Sequence, residues 1–207
     1  MDDAIAYLRG ADPVLARLLD EQGPPETRRD PSRPGPSDHY GALVRSIVGQ
    51  QLSTKAARSI YGRLTDRFGG RAPTPQEVLA DDPEDLRVAV GLSRAKVKYL
   101  RSLAEHVEKG EVELGRLDAL SDEDVAAELL DVKGLGPWSV DMFLMFQLQR
   151  PDVLPVGDLG IRRAVEQAYG LDALPGPDAL ERIAEPWRPY RTLASRYLWA
   201  SLDNEPV

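Results

Sequence analysis

The sequence predicts an all-α protein, and three observations carry that prediction. Apolar residues recur at helical spacing along many stretches, residues that start helices stand in front of those stretches, and no segment alternates convincingly with the period of two that a strand needs. At 207 residues the chain is long enough for one domain or two small lobes, with apolar content sufficient to bury a core.

An N-terminal helix is expected first. It is followed by Gly23 to Ser37, where five prolines stand among charged residues and read as a long surface loop. Tyr40, Leu43, Val44, Ile47 and Val48 then follow the spacing of one helix face, and Gly49 ends the run. Ser53 or Thr54 can cap the next helix, which carries Ala56, Ala57, Ile60, Tyr61 and Leu64. Thr74 with Glu77 has the spacing of a capping box, and Asp82 before Pro83 marks another start, because the first turn has amide donors to spare. Ser93 opens a helix to Gly110 with Val97, Leu100, Leu103, Ala104 and Val107 on its apolar side. Ser121, with Asp124 three residues on, opens a helix expected to reach Val132, and Pro137 to Gln149 is expected to be the next.

Between those two helices stands "KGLG", the turn of a helix-hairpin-helix. Glycine at 134 and 136 permits positive φ and close approach of backbone to a ligand. The turn feeds a helix N-terminus, where amides and the helix dipole favour an anion, and a DNA phosphate is the natural one. Alone, "GLG" is equally an ordinary tight connection. Its neighbours add weight: Trp138 and Met142, four apart, share a face of the second helix, and "LPVGDLGIRRAV" sets Asp158 after a loop at the start of an amphipathic segment, where it also suits a helix cap.

Composition narrows the chemistry. The absence of cysteine excludes disulfides, thiolate zinc sites and cysteine-ligated clusters, while His39 and His106 are too few and too far apart for a histidine metal site. No metal held by side chains is expected. With no run of eighteen apolar residues and no basic, apolar leader, neither a membrane span nor a signal peptide is expected, and a cytoplasmic protein follows. The net charge of -8 argues against nonspecific nucleic-acid binding through a basic surface. That mean conceals a split. From Gly41 to Arg71, Arg45, Lys55, Arg58, Arg63, Arg67 and Arg71 face Asp66 alone, whereas acid concentrates between Ala72 and Asp131.

In these motifs, taken in order, the sequence resembles the helix-hairpin-helix (HhH-GPD) DNA glycosylases, and within them the 3-methyladenine DNA glycosylase II (alkA-type) branch. The resemblance runs from about Asp38 to Asp203. "YGALVRSIVGQQLSTKAA" is similar to the segment with the void-filling residue, "VKGLGPWSVDMFLMF" to the hairpin, "LPVGDLGIRRAV" to the segment with the aspartate, and "WRPYRTLASRYLWASLD" to the closing helix. Endonuclease III-like relatives carry a lysine where this sequence has Trp138, so no Schiff base and no lyase step are expected. The four-cysteine cluster loop of those relatives is absent. The length also leads to the expectation that the β-rich N-terminal domain of longer alkA-type enzymes is missing.

The resemblance implies two helical lobes with the active site in the cleft between them. One is expected over 37–151, with the hairpin at about 121–149, and the other over 1–36 plus 152–207. It implies a monofunctional glycosylase of base excision repair that flips alkylated purines such as 3-methyladenine out of duplex DNA and releases them by hydrolysis. Gln51 matches the residue that fills the vacated stack, with Leu52 as the nearby alternative wedge. Trp138 and Trp199 match pocket tryptophans, and Met142 stands where close relatives often place tyrosine. Stacking and cation-π attraction contribute roughly 1 to 3 kcal/mol to holding a charged base.

Asp158 matches the catalytic aspartate, whose carboxylate stabilises the oxocarbenium-like sugar and orients water. Gly134 and Gly136 amides, beside Lys133, are expected to hold a phosphate. Arg163, and the pair Arg188 and Arg191, are candidate phosphate contacts or ordinary surface arginines. No cofactor is required, although a sodium or potassium ion on hairpin main-chain carbonyls is in keeping with the family. Double-stranded DNA containing damaged bases is the expected partner, a monomer the expected state, and the cytoplasm, on the nucleoid in a bacterium, the expected place.

Three other readings compete. A noncatalytic helix-hairpin-helix DNA-binding protein accounts for the glycines but leaves Asp158, Trp138 and Trp199 unexplained. A helical protein-interaction scaffold suits the acidic charge. A glycosylase for neutral lesions such as hypoxanthine, ethenoadenine or uracil needs more hydrogen bonding to the base than the aromatic set supplies.

Overall fold

The structure, a computed structural model, describes residues 1–22 and 38–202, and the proline-rich stretch expected to be a loop lies outside them. Among the described residues there is no strand. The chain divides into two compact units, one of Asp30–Phe143 and one of Met1–Arg29 with Leu144–Val207.

The N-terminal segment forms two helices where one was expected, α1 (Asp2–Ala11) and α2 (Pro13–Gln22). The break is Asp12, held extended at φ -147. Proline at the next position has no amide to continue α1 but suits the first position of α2.

In the Asp30–Phe143 unit, α3 (His39–Gly49) starts at Asp38, whose carboxylate accepts from the Gly41 amide at 2.7 Å. Its predicted face is fully inward: Tyr40, Leu43, Val44, Ile47 and Val48 are all buried. Ser53 caps α4 (Thr54–Arg67), where Leu64 is fully buried while Ala56, Ala57, Ile60 and Tyr61 of its predicted apolar face lie shallower. Thr74 and Glu77 form the expected capping box on α5 (Pro75–Ala80), and Asp82 caps α6 (Pro83–Val90), which closes on Gly91 in the left-handed region. Ser93 caps α7 (Arg94–Glu108). Helix α7 packs on α3, α5 and α6 through Val97, Leu100, Leu103 and Ala104, each larger side chain contributing about 2 kcal/mol by burial. A 3-10 turn over Leu114–Ala119 leads to α8 (Asp122–Leu130), capped by Ser121, and α8 packs on α9 (Pro137–Met142).

The second hairpin helix is shorter than the expected Pro137 to Gln149. After α9 the chain widens into a π-helical turn at Phe143–Gln147, and Gln149 takes φ 55. Met142, Phe143, Leu144 and Met145 are all buried, and four consecutive buried side chains exceed one face of a regular helix.

The other unit resumes with α10 (Leu159–Tyr169), α11 (Pro177–Ala184), a 3-10 turn at Glu185–Trp187 and α12 (Arg191–Ser201). Helix α12 packs on α2 and α10, burying Ala194, Tyr197, Leu198 and Trp199. Asp12 is 6% exposed and ties this unit together. Its Oδ1 accepts from the Val14 and Leu15 amides, and its Oδ2 accepts from the Tyr169 hydroxyl and from Trp187 Nε1 at 3.0 Å.

Candidate functional site

The hairpin turn is shaped by short-range bonds and one close packing contact. Gly134 has φ 95, and a Cβ there would lie 2.2 Å from the Tyr99 ring, so both the backbone and the neighbour demand glycine. Gly136 differs from the expectation. It is extended at φ -116, and a Cβ on it would meet nothing, so positive φ is needed at only one of the two glycines. The Leu135 amide donates to Val132 O at 3.0 Å, and the Lys133 amide donates to Ser102 Oγ at 3.1 Å. The amides of Gly134 and Gly136 donate to no described protein group.

A residue that sequence reasoning passed over joins this turn to the end of α3. Gln50 Nε2 donates to Gly134 O at 2.8 Å and to the buried Ser139 Oγ at 3.2 Å. Next to it, Gln51 is exposed with φ 58, and Leu52 is 37% exposed. Lys96 lies against the same segment, its Nζ donating to Val48 O at 2.7 Å and Gln50 O at 2.8 Å. Burial pushes the Lys96 ammonium below the usual lysine range. On α9, Trp138 is 39% exposed and Met142 is buried.

In the other unit, Asp158 follows the turn Pro155–Gly157 and caps α10. Its Oδ1 accepts from the Ile161 amide at 2.8 Å and from Trp199 Nε1 at 2.8 Å. Trp199 is 1% exposed and stacks against Phe146, with ring centroids 6.1 Å apart. The predicted Asp158 and Trp199 are therefore brought together, with the indole N–H given to the carboxylate. Arg163 is exposed on α10. Arg188 and Arg191, considered as phosphate contacts, both bind Asp152, at 2.8 and 2.7 Å. Among the described residues, no group of three His, Cys, Asp or Glu side chains has the placement to hold a metal ion, and no helix is long and apolar enough to cross a membrane.

The sequence profile of the HhH-GPD superfamily of base excision DNA repair proteins matches residues 44–189, a span holding the hairpin, Gln50 and Asp158. The chain belongs to that superfamily. Among curated members, DNA-3-methyladenine glycosylase 1 of Schizosaccharomyces pombe is 34% identical over 195 residues, covering 93% of this chain and 84% of the relative. The YfjP protein of Bacillus subtilis is 31% identical over 170 residues, and the chain spans only 59% of its length. The solved structure of the Schizosaccharomyces pombe 3-methyladenine DNA glycosylase in complex with abasic DNA superposes with a TM-score of 0.86 at 32% identity, covering 97% of each chain.

Proposed function

We propose that this protein is a monofunctional DNA glycosylase that releases alkylated purines such as 3-methyladenine from duplex DNA by hydrolysis. The observation that carries the reading is Asp158, a half-buried carboxylate aimed by two N–H donors, in a chain of this superfamily. Relatives named as 3-methyladenine glycosylases, and a similar structure solved on abasic DNA, support the substrate class. Alkylated purines carry positive charge and leave readily, so a fixed negative charge near the sugar matters more than a strong general acid. Asp158 supplies that charge and orients the attacking water, while Trp199 and Ile161 hold its orientation.

Gln51, with Leu52 beside it, fills the gap left when the base is flipped. Gln51 is well suited to this, since a non-glycine residue in the left-handed region marks a site where strain is retained for function. Trp138 offers a ring for stacking, with Met142 below it on the same helix. The Gly134 and Gly136 amides, Lys133 and Arg163 hold phosphates. A sodium or potassium ion at the hairpin would be held by its main-chain carbonyl oxygens. The protein acts as a monomer in the cytoplasm, and with Trp138 in place of a lysine it forms no Schiff base.

The test is chromatography of bases freed from methylated duplex DNA by the wild type and by Asp158→Asn. The amide oxygen of Asn can still accept both N–H groups, so the fold and DNA binding persist while base release falls about 100-fold or more. Equal release by the two proteins would refute the role of Asp158. No release by either would refute the alkylpurine substrate and leave a neutral lesion or a noncatalytic DNA-binding role.

A further inference from the structure

Gln51 stands at φ 58, a left-handed conformation that is strained for a non-glycine residue and persists only where its surroundings enforce it. Two long-range groups do so. Lys96 projects from the first turn of α7 to the C-terminal end of α3, where a cation also answers the helix dipole, and binds the carbonyls of Val48 and Gln50. Gln50 is thereby fixed through its main chain immediately before Gln51. Its side chain is fixed as well, because only the amide nitrogen can face the Gly134 carbonyl.

That second bond reaches the phosphate-binding turn. The peptide joining Gly134 to Leu135 is held at both ends, with Leu135 N–H on Val132 O and Gly134 O on Gln50. The amides of Gly134 and Gly136 belong to the peptides on either side of it. Ser139, buried on α9, completes the clamp.

We infer that Lys96 and Gln50 are positioning residues: Lys96 holds Gln51 in the left-handed conformation from which it enters the DNA stack, and Gln50 makes this wedge and the hairpin turn one rigid piece. The inference rests on the glycosylase reading for its DNA step. A purely structural role for either residue would change stability without depending on what side chain occupies position 51.

Amide hydrogen exchange on the DNA-free protein tests the positioning itself. Lys96→Met is expected to speed exchange at the Leu52 amide, which donates to Gly49 O, by about tenfold or more. Gln50→Met is expected to speed exchange at both Leu52 and Leu135, and Lys96→Arg, which keeps donors, to restore protection at Leu52. Unchanged exchange in both methionine variants, with folding intact, would overturn the inference.

Single-turnover base release from methylated duplex then tests the DNA step. Each methionine substitution is expected to slow release about tenfold in the wild-type background and to have no further effect in a Gln51→Ala background. Equal losses in both backgrounds would overturn the coupling to Gln51. A wild type that releases no base would instead overturn the alkylpurine glycosylase reading, and the exchange measurement would still decide whether Lys96 and Gln50 hold the loop.

Discussion

Asp12 and Asp158 are both helix-capping carboxylates that also accept from a tryptophan N–H. At Asp12 the Val14 and Leu15 amides donate to Oδ1 and the Tyr169 hydroxyl and Trp187 Nε1 to Oδ2, and at Asp158 the Ile161 amide and Trp199 Nε1 both donate to Oδ1. Burial pushes the Asp12 carboxyl up, but Tyr169, Trp187 and the Leu15 and Val14 amides outweigh it and leave it below the usual carboxylate range. A depressed carboxylate adds stability that is present above its unfolded value, near 3.8, and is lost as pH falls through the lower folded value. Urea unfolding from pH 7 downward should therefore show wild-type stability dropping below pH of about 4. Asp12→Asn turns two amide hydrogens toward existing donors, so it should lose about 2 to 4 kcal/mol at pH 7 and show a weaker acid dependence. Equal stability of the two proteins at pH 7 would show that the Asp12 network contributes nothing net.

At the scale of elements, the hairpin turn rests on two glycines with unequal demands. Gly134→Ala meets both an unfavourable φ, costing about 1 kcal/mol, and the Tyr99 ring, whereas Gly136→Ala enters open space in ordinary extended backbone. Thermal unfolding should show a loss of several kelvin for Gly134→Ala and little for Gly136→Ala. With Tyr99→Ala as the second arm of a double-mutant cycle, the Gly134 loss should shrink to the φ cost, a coupling of about 1 to 3 kcal/mol. Additive losses would mean that Tyr99 is not what excludes a side chain.

The same turn shows what a sequence conveys and what it withholds. The caps at Ser53, Thr74, Asp82, Ser93, Ser121 and Asp158 are written within three residues of the amides they bind, so they are readable locally. The Gln50 clamp spans 84 residues and Trp199 reaches Asp158 across 41, separations with no local signature. Trp199 was legible through family resemblance alone, and the doubled glutamine at 50 and 51 hid the clamp behind its neighbour. The π-helical turn went unread because its sequence has the composition of a plain buried helix.

For the whole molecule, a net charge of -8 opposes approach to a polyanion, and the basic stretch from Arg45 to Arg71 offsets this less than its sequence implies. Arg63 is committed to Val90 O and Ser59 Oγ, Arg67 to Asp81, and Arg71 to Glu77. Arg45, Lys55 and Arg58 are exposed and have no ion-pair partner among the described residues, so they are the cations of this stretch available to phosphates. Each phosphate neutralised by a cation steepens the dependence of log affinity on log salt by about 0.9, whereas neutral backbone amides release few counterions. Duplex binding followed across a potassium chloride series should give a slope that Lys55→Gln with Arg58→Gln makes shallower by about 2. Arg67→Gln with Arg71→Gln should leave that slope unchanged, since those arginines hold their own carboxylates. A shallower slope in the second pair would mean that the arginines exchange Asp81 and Glu77 for phosphate, and that the acidic partners act as competitors which DNA must displace.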